Sequence, residues 1–391
     1  MRRIEFVYFD AGGGHRSAAT ALKSVIDSQN RGWDVQLFNF QEQLDALDFV
    51  RSLTRVRMQD VYNLMLRRGW TLGSTQLMRV LQATIRLYHP LVVRRLTEYW
   101  RTTRPDMVVS FIPHFNRALG ESFRKAFPGR PFVTLLTDLA DFPPHFWIER
   151  QEQFFICGTE QAVKQAREVG HAPHRIHRTS GMILNPRFYT PVTIDPEEGR
   201  ERLGLDPNLL TGIVLFGGYG ARVMLEIAER LEGSELPIQL IFICGKNERL
   251  AERLRTRPLR RPRFVEGFTR EVPHYMHLSD FFLGKPGPGS ISEALAMRLP
   301  VIVERNARTL PQERYNAHWV RENNYGLTVR NWSEVVRATS ELIEPQQLAS
   351  RRRRIAALEN RAVFEIPDAL QRILDSHGRV GYAGFIHAPH V

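Results

Sequence analysis

The chain has 391 residues, enough for two domains or three, and its 43% hydrophobic and 10% aromatic content excludes wholesale disorder. Two cysteines, Cys157 and Cys244, exclude a disulfide framework and a multi-cysteine zinc module. The net charge of +12 points to an anionic partner: nucleic acid, acidic lipid or a phosphorylated small molecule.

Met1-Arg2-Arg3 leads straight into the strand-like Ile4–Phe9, without the apolar core and cleavage site of a signal peptide. No apolar run approaches the about 18 residues of a membrane span. A soluble, cytoplasmic protein is expected. Further buried-strand patterns are Trp33–Phe38, Met107–Ile112, Phe132–Thr137 and Phe154–Cys157, with helical patterns at Ser17–Ser28 and Glu160–Val169. The pattern restarts with Gly212–Phe216, Gln239–Cys244, Arg263–Val265, Asp280–Leu283 and Val301–Val303, alternating with helices near Val223–Leu231, Ser290–Met297 and Gln312–Glu322. Such alternation predicts an α/β protein of two doubly wound, Rossmann-like domains. Pro186, Pro191, Pro196 and Pro207 mark 186–210 as a linker between a domain over 1–185 and one over 211–362, with 363–391 as a last helix and tail.

Between Arg51 and Arg104 stand eleven Arg, no Lys and only Asp60 and Glu98, so this segment carries nine of the twelve net charges. Amphipathic inserted helices are expected there, and the Arg residues alternate with Trp70, Leu72, Leu77, Met78, Tyr88 and Trp100. This suits an anionic membrane surface, with Arg67, Arg68, Trp70, Arg79 and Arg86 as contacts. An ordinary helix pair with a solvated Arg face is the plainer reading. No RNA-binding module is recognisable, and no nucleic-acid partner is expected. The Arg351–Arg354 run is expected on a solvated helix face.

Three loops at strand ends can hold phosphate. In Asp10-Ala11-Gly12-Gly13-Gly14-His15-Arg16-Ser17, the glycines permit close backbone approach and the helix start offers free N–H groups. The helix dipole lowers the basicity of His15, leaving an imidazole able to accept a proton; a tight turn with an exposed His is the alternative. In Lys285-Pro286-Gly287-Pro288-Gly289-Ser290, the glycines and the serine can face a diphosphate. Glu293 lies one turn further on, where it could reach a ribose hydroxyl or close a capping box with Ser290. Gly217, Gly218 and Gly220 form the third loop, and Gln312, Glu313 and Asn316 offer groups for sugar hydroxyls. Loops at strand carboxyl ends in both halves describe a cleft between two domains. There is no G-x-G-x-x-G and no Walker lysine, which speaks against NAD enzymes and P-loop NTPases.

Gly12-Gly13-Gly14-His15 with Ala18-Ala19, Thr137-Asp138-Leu139 with His145, Lys285-Pro286-Gly287 with Ser292-Glu293-Ala294, and Gln312-Glu313-x-x-Asn316 together resemble the monogalactosyldiacylglycerol synthase and processive diacylglycerol glucosyltransferase family. That family belongs to glycosyltransferase family 28 and is related to the lipid II-forming N-acetylglucosaminyltransferase. The resemblance spans about residues 4–375. It implies a GT-B fold, with the first domain holding the acceptor, the second a UDP-sugar, and the C-terminal helix returning to the first. It implies inverting transfer of a hexose to a lipid, most simply diacylglycerol, at the cytoplasmic membrane face. By matched position, Glu293 would hold the ribose; Gly287, Pro288, Gly289 and Ser290 the diphosphate; Gly267-Phe268 the uracil; and Gln312 and Glu313 the sugar. His15 would lie near the reaction centre, with Asp138 beside it. The chain departs from the family at Leu310-Pro311, where a glycine is usual, and at the loop carrying Tyr219 and Arg222.

Such a transfer needs a base and charge stabilisation on the departing UDP. His15 is the first candidate base, and Asp138 either orients it or serves instead. No Asp-x-Asp occurs, since Asp138 and Asp141 are one residue too far apart, so no metal or other cofactor is expected. Amides, a helix end and Arg222 would hold the leaving group. A UDP-N-acetylglucosamine 2-epimerase-like isomerase, a transferase acting on a soluble small molecule, and a non-catalytic nucleotide-sugar sensor are the competing readings.

Overall fold

In the computed structural model, the described residues are 1–9, 13–45, 74–258, 261–306 and 309–380, with side chains described for all but 43–45, 74–86 and 377–380. The chain divides into two compact units. The first holds the described residues up to 45, Thr75–Asn185 and the segment from Arg361; the second is Pro186–Asn360.

The first unit runs β1 (Arg2–Tyr8), α1 (Gly14–Ser28), β2 (Trp33–Asn39), α2 (Phe40–Asp45), α3 (Ser74–Thr103), β3 (Met107–Ser110), α4 (Asn116–Ala126), β4 (Phe132–Leu135), β5 (Phe154–Cys157), α5 (Glu160–Val169) and β6 (Ile176–Arg178). Its parallel sheet has the order β2-β1-β3-β4-β5-β6. The strands are apolar runs buried on both faces, as a sheet covered by crossover helices requires. Because β2 lies on one side of β1 and β3 on the other, the order reverses between β1 and β3. The loops leaving those two strands diverge there and open a crevice in which ligands bind in such folds.

The second unit begins with a 3-10 turn at Pro186–Tyr189 and α6 (Pro196–Arg202). It continues through β7 (Leu210–Leu215), α7 (Val223–Glu232), β8 (Ile238–Ile243), α8 (Glu248–Thr256), β9 (Arg263–Glu266), α9 (Val272–His277), β10 (Phe281–Gly284), α10 (Pro288–Ala296), β11 (Val301–Glu304), α11 (Pro311–Glu322), β12 (Gly326–Val329), α12 (Val335–Ile343) and α13 (Pro345–Ala356). Its sheet has the order β12-β11-β10-β7-β8-β9, so it reverses between β7 and β10. One core packs Met224, Ile227 and Leu231 of α7 with Val335 and Leu342 of α12 on one face. The other packs Ile291 and Leu295 of α10 with Ala317 and Val320 of α11 on the opposite face.

Several expectations are corrected here. Residues 186–210 are built into the second unit and are not a linker. Asp195 caps α6 through the Glu197 and Glu198 amides, and Arg200 binds the Asp280 carboxylate at 2.8 Å and the Leu278 carbonyl at 2.9 Å. Pro186 and Pro196 open helical turns, where a missing N–H costs nothing. The Arg351–Arg354 run is not a free solvated face. Arg351 is buried, Arg352 binds Asp280 at 2.7 Å, and Arg354 donates to the Asn323 carbonyl at 2.7 Å. Trp100 is core: it has no exposed surface and donates to the Ser122 hydroxyl at 2.9 Å. Arg67, Arg68 and Trp70 lie outside the described residues, and Arg79 and Arg86 lie on α3 with undescribed side chains. The final helix, α14 (Ala362–Val380), packs on α1 of the first unit, and the Ser180 N–H donates to Glu365 at 2.8 Å. Burial pushes both cysteine thiols up to about 12, which leaves them inert packing groups.

Candidate functional site

In the second unit, β7 and β10 end side by side, with Leu215 in register with Gly284. The loop after β7 turns through Gly217 and closes with the Gly220 N–H on the Gly217 carbonyl at 3.2 Å. The loop after β8 presses on it: a methyl group at Gly245 would stand 2.3 Å from the Gly218 carbonyl oxygen, so only glycine fits. The Lys246 N–H donates to that same carbonyl at 2.9 Å. Lys246 Nζ stands 5.8 Å from the Tyr219 ring centre and 5.6 Å from that of Phe268, whose side chain is 59% exposed. The neighbouring Gly267 N–H is tied to Glu266 at 2.8 Å.

The loop after β10 is held from beneath. Asn316, with no exposed surface, donates to the Pro286 carbonyl at 2.9 Å, and the Gly287 N–H donates to the Lys285 carbonyl at 2.8 Å. Gly287 caps α10 without a side-chain bond to the first turn, and Pro288 and Gly289 open the helix, so Ser290 sits inside the first turn. Ser290 is therefore not the cap, and the capping-box alternative for Glu293 fails. Among the described residues, no hydrogen bond to the Glu293 carboxyl is found, and burial pushes it up to about 7. Glu313 is buried and pairs with Lys285 Nζ at 3.1 Å, while Gln312 beside it is partly exposed.

In the first unit, Gly13 caps α1 in the left-handed conformation (φ 81°), Gly14 begins the helix, and Gly12 lies outside the described residues. Among the described residues, no atom stands within 4 Å of a methyl group placed at Gly13 or Gly14. His15 Nδ1 lies 3.0 Å from the Thr137 hydroxyl oxygen, and the ring centre lies 5.9 Å from that of Trp147. Burial lowers the His15 pKa to about 4, partly opposed by a hydrogen bond to the Phe111 main chain. Phe111 and Thr137 follow β3 and β4, so the ends of three strands converge on one imidazole. Asp138 accepts from the Trp147 indole N–H at 2.9 Å. Asp141 accepts the His145 amide at 3.0 Å and the Trp147 amide at 2.6 Å, so it organises the loop that carries the indole.

Residues 213–372 match the glycosyltransferase family 28 C-terminal domain, a span containing both loops, Glu293 and Glu313. The match covers most of the second unit and the start of α14. The chain is 26% identical over 363 residues to monogalactosyldiacylglycerol synthase of Spinacia oleracea, covering 88% of this chain and 67% of that protein. It is also 26% identical to monogalactosyldiacylglycerol synthase 1 of Arabidopsis thaliana, covering 88% of this chain and 65% of that protein. The chain thus spans about two thirds of these plant relatives. Among solved structures, MurG of Acinetobacter baumannii superposes with a TM-score of 0.62 at 12% identity, covering 95% of this chain and all of that one. The two doubly wound units are of the GT-B type, and the chain is a UDP-sugar glycosyltransferase.

In this glycosyltransferase, the sequence-derived candidates separate by exposure. Gly217, Gly218, Gly287, Pro288, Gly289, Ser290 and Glu293 gather at the β7/β10 reversal, and Gly267 and Phe268 stand after β9. Asn316 is fully buried beneath the loop, and its Nδ2 supports the loop through the Pro286 carbonyl. The His15 ring bonds to the Thr137 hydroxyl and the Phe111 main chain, while Asp138 bonds to the Trp147 indole. Burial lowers the basicity of His15, in the same direction as the helix start. Thr137, Trp147, Lys246 and Lys285 were missed. Lys285 and Thr137 stood inside the quoted motifs, where their positions directly after strands were the available signal.

Proposed function

We propose that this glycosyltransferase moves a hexose from a UDP-sugar to a lipid acceptor, diacylglycerol by its likeness to the plant enzymes, at the cytoplasmic membrane face. The observation that carries the reading is the β7/β10 reversal. Two glycine loops, the open first turn of α10 and the unpartnered Glu293 carboxyl meet there inside the family 28 domain. Helix-start amides suit a diphosphate, and a carboxylate in reach of the same loop suits vicinal ribose hydroxyls. Phe268, backed by Lys246, offers an exposed ring on which a pyrimidine can stack.

The first unit supplies the acceptor side. His15 is neutral at pH 7 and can take the hydroxyl proton of the acceptor. A base with pKa about 4 pulls weakly, so transfer of that proton accompanies departure of UDP and does not precede it. The resulting imidazolium would sit beside the Trp147 ring, with the Asp138 carboxylate one hydrogen bond behind. Thr137 fixes the ring's orientation. The displacement inverts the anomeric carbon.

The membrane reading is supported by α3. Leu87, Tyr88 and Leu91 are exposed on a helix whose later residues Val92, Val93 and Leu96 are core. Arg94 and Arg95 are exposed beside them. Apolar side chains flanked by Arg match an anionic interface. No helix among the described residues is long and apolar enough to cross a membrane.

The deciding experiment incubates the enzyme with a panel of UDP-sugars and diacylglycerol vesicles and analyses the extracted lipid by mass spectrometry. A hexosyl-diacylglycerol is expected with one donor. Epimerised UDP-sugar in the absence of any acceptor would replace this reading with the isomerase.

A further inference from the structure

Lys285 stands where the two glycine loops of the second unit come together. A methyl group placed at Gly217 would lie 3.6 Å from its Cε, and one placed at Gly287 would lie 3.3 Å from the same atom. Its ammonium therefore sits at the β7/β10 reversal, and it is bound at 3.1 Å by Glu313, whose carboxylate is also 3.8 Å from the Gly287 position. The two partners differ in freedom. The Lys285 side chain is 44% exposed on a flexible stem, whereas the Glu313 side chain is 11% exposed on α11. The backbone beneath them is fixed by Asn316 and by the Gly287-to-Lys285 turn.

A diphosphate entering this loop brings at least two negative charges close to a nearly buried carboxylate. The repulsion is relieved when the Lys285 ammonium moves toward the phosphate. Resting on the donor reading above, we propose that Lys285 exchanges partners when the donor binds. Glu313 holds it in the donor-free enzyme, and the diphosphate takes it over. The Glu313 carboxylate is then released to accept hydroxyls of the hexose. Occupation of the phosphate position thereby switches on the sugar contact, so uridine meets the restrained form of Glu313, and UDP and UDP-hexose meet the released one. Lys285 acts as a binding residue, and Glu313 is restrained until it is needed.

Calorimetric titration of the full chain with uridine, UMP and UDP tests this. The wild type is expected to bind UDP more tightly than uridine. Lys285→Met should lose about tenfold in UDP affinity and leave uridine unchanged, while Lys285→Arg keeps most of the UDP increment. Glu313→Gln carries the decisive sign. It removes the carboxylate charge that competes with the diphosphate for Lys285, so UDP should bind about threefold to tenfold more tightly while turnover falls about a hundredfold. Unchanged uridine affinity in each variant shows that the nucleoside site is folded. If Glu313→Gln leaves UDP affinity unchanged or weaker with uridine binding intact, the exchange is wrong while the donor reading stands. A wild type that binds UDP no better than uridine overturns both.

Discussion

The indole N–H of Trp147 donates to the Asp138 carboxylate at 2.9 Å, and the same indole stands with its ring centre 5.9 Å from that of His15. The His15 ring itself bonds to the Thr137 hydroxyl and the Phe111 main chain. The roles of the two candidate bases therefore separate by mutation. His15→Ala should lower kcat by about 10²–10⁴-fold. Asp138→Asn keeps an oxygen that can accept from Trp147 and should cost about tenfold or less, with Thr137→Val costing a similar amount through kcat and not donor KM. If Asp138→Asn proves as severe as His15→Ala in single-turnover assays, the base is Asp138.

Two groups with opposite shifts set the pH behaviour. Burial holds the Glu293 carboxyl near 7, so in the free enzyme it is protonated below that pH and cannot accept from both ribose hydroxyls. Donor KM should rise as pH falls below about 7, and Glu293→Gln should flatten that limb while raising KM throughout. His15, lowered to about 4, puts its loss of activity near pH 4 and not near 6.5. In stability the signs oppose. The raised Glu293 contribution is complete below its unfolded value of about 4.5 and fades as pH rises through 7. The depressed His15 contribution is complete above 6.5 and fades as pH falls through 4. His114, also lowered to about 4 by burial, adds to the second group. Burial also raises Glu5, Asp141 and Glu149, so the histidine part is read from a variant: the loss of Tm between pH 6.5 and 4.5 should be smaller in His114→Asn than in the wild type. An equal loss would contradict a buried neutral His114.

The alternation of buried runs made the doubly wound architecture legible, and Phe154–Cys157 and Glu160–Val169 occur with the expected limits. What the sequence hid followed from context. β6 and β12 are short strands at sheet edges, where Ile176–Arg178 and Gly326–Val329 carry too few apolar residues to announce themselves. The prolines of 186–210 resemble a linker until Arg200 meets Asp280, a residue 80 positions later. Trp100 among arginines looks interfacial because sequence does not show that its helix face points into the first unit. Asn316 has the composition of a sugar ligand, and only its complete burial reveals a loop support.

The diphosphate ligands proposed for this site are main-chain amides and a lysine, all supplied by the protein. Turnover with saturating UDP-sugar should therefore persist in excess EDTA. A strict requirement for Mg²⁺ in a single-turnover measurement of the transfer step would show that the charge on UDP is neutralised by a metal.

Membrane binding should depend on both components of α3. Leu87→Glu with Leu91→Glu removes exposed apolar contacts without touching the core positions Val92, Val93 and Leu96, so the melting temperature should hold while flotation with anionic vesicles falls. Arg94 and Arg95 each contribute about 1 kcal/mol near an anionic surface, so raising salt should weaken wild-type binding progressively. Flotation that ignores both the Glu pair and salt would separate this helix from the membrane.

Asn316 joins stability to donor affinity. Its side chain is fully buried, its Nδ2 donates to the Pro286 carbonyl at 2.9 Å, and its Oδ1 has no partner among the described residues. Asn316→Ala strands the Pro286 carbonyl and opens a small void beneath the loop, a cost of about 1–3 kcal/mol. The loop it supports carries Gly287, Gly289 and Ser290, so KM for UDP-sugar should rise about tenfold with a smaller change in kcat. Asn316→Asp tests the donor specifically: it keeps size and shape but faces the carbonyl with a carboxylate, and should destabilise more than Ala. Chemical denaturation of both variants, alongside donor KM, checks the order. If Asn316→Asp is milder than Asn316→Ala, the amide N–H is not what holds the loop in place.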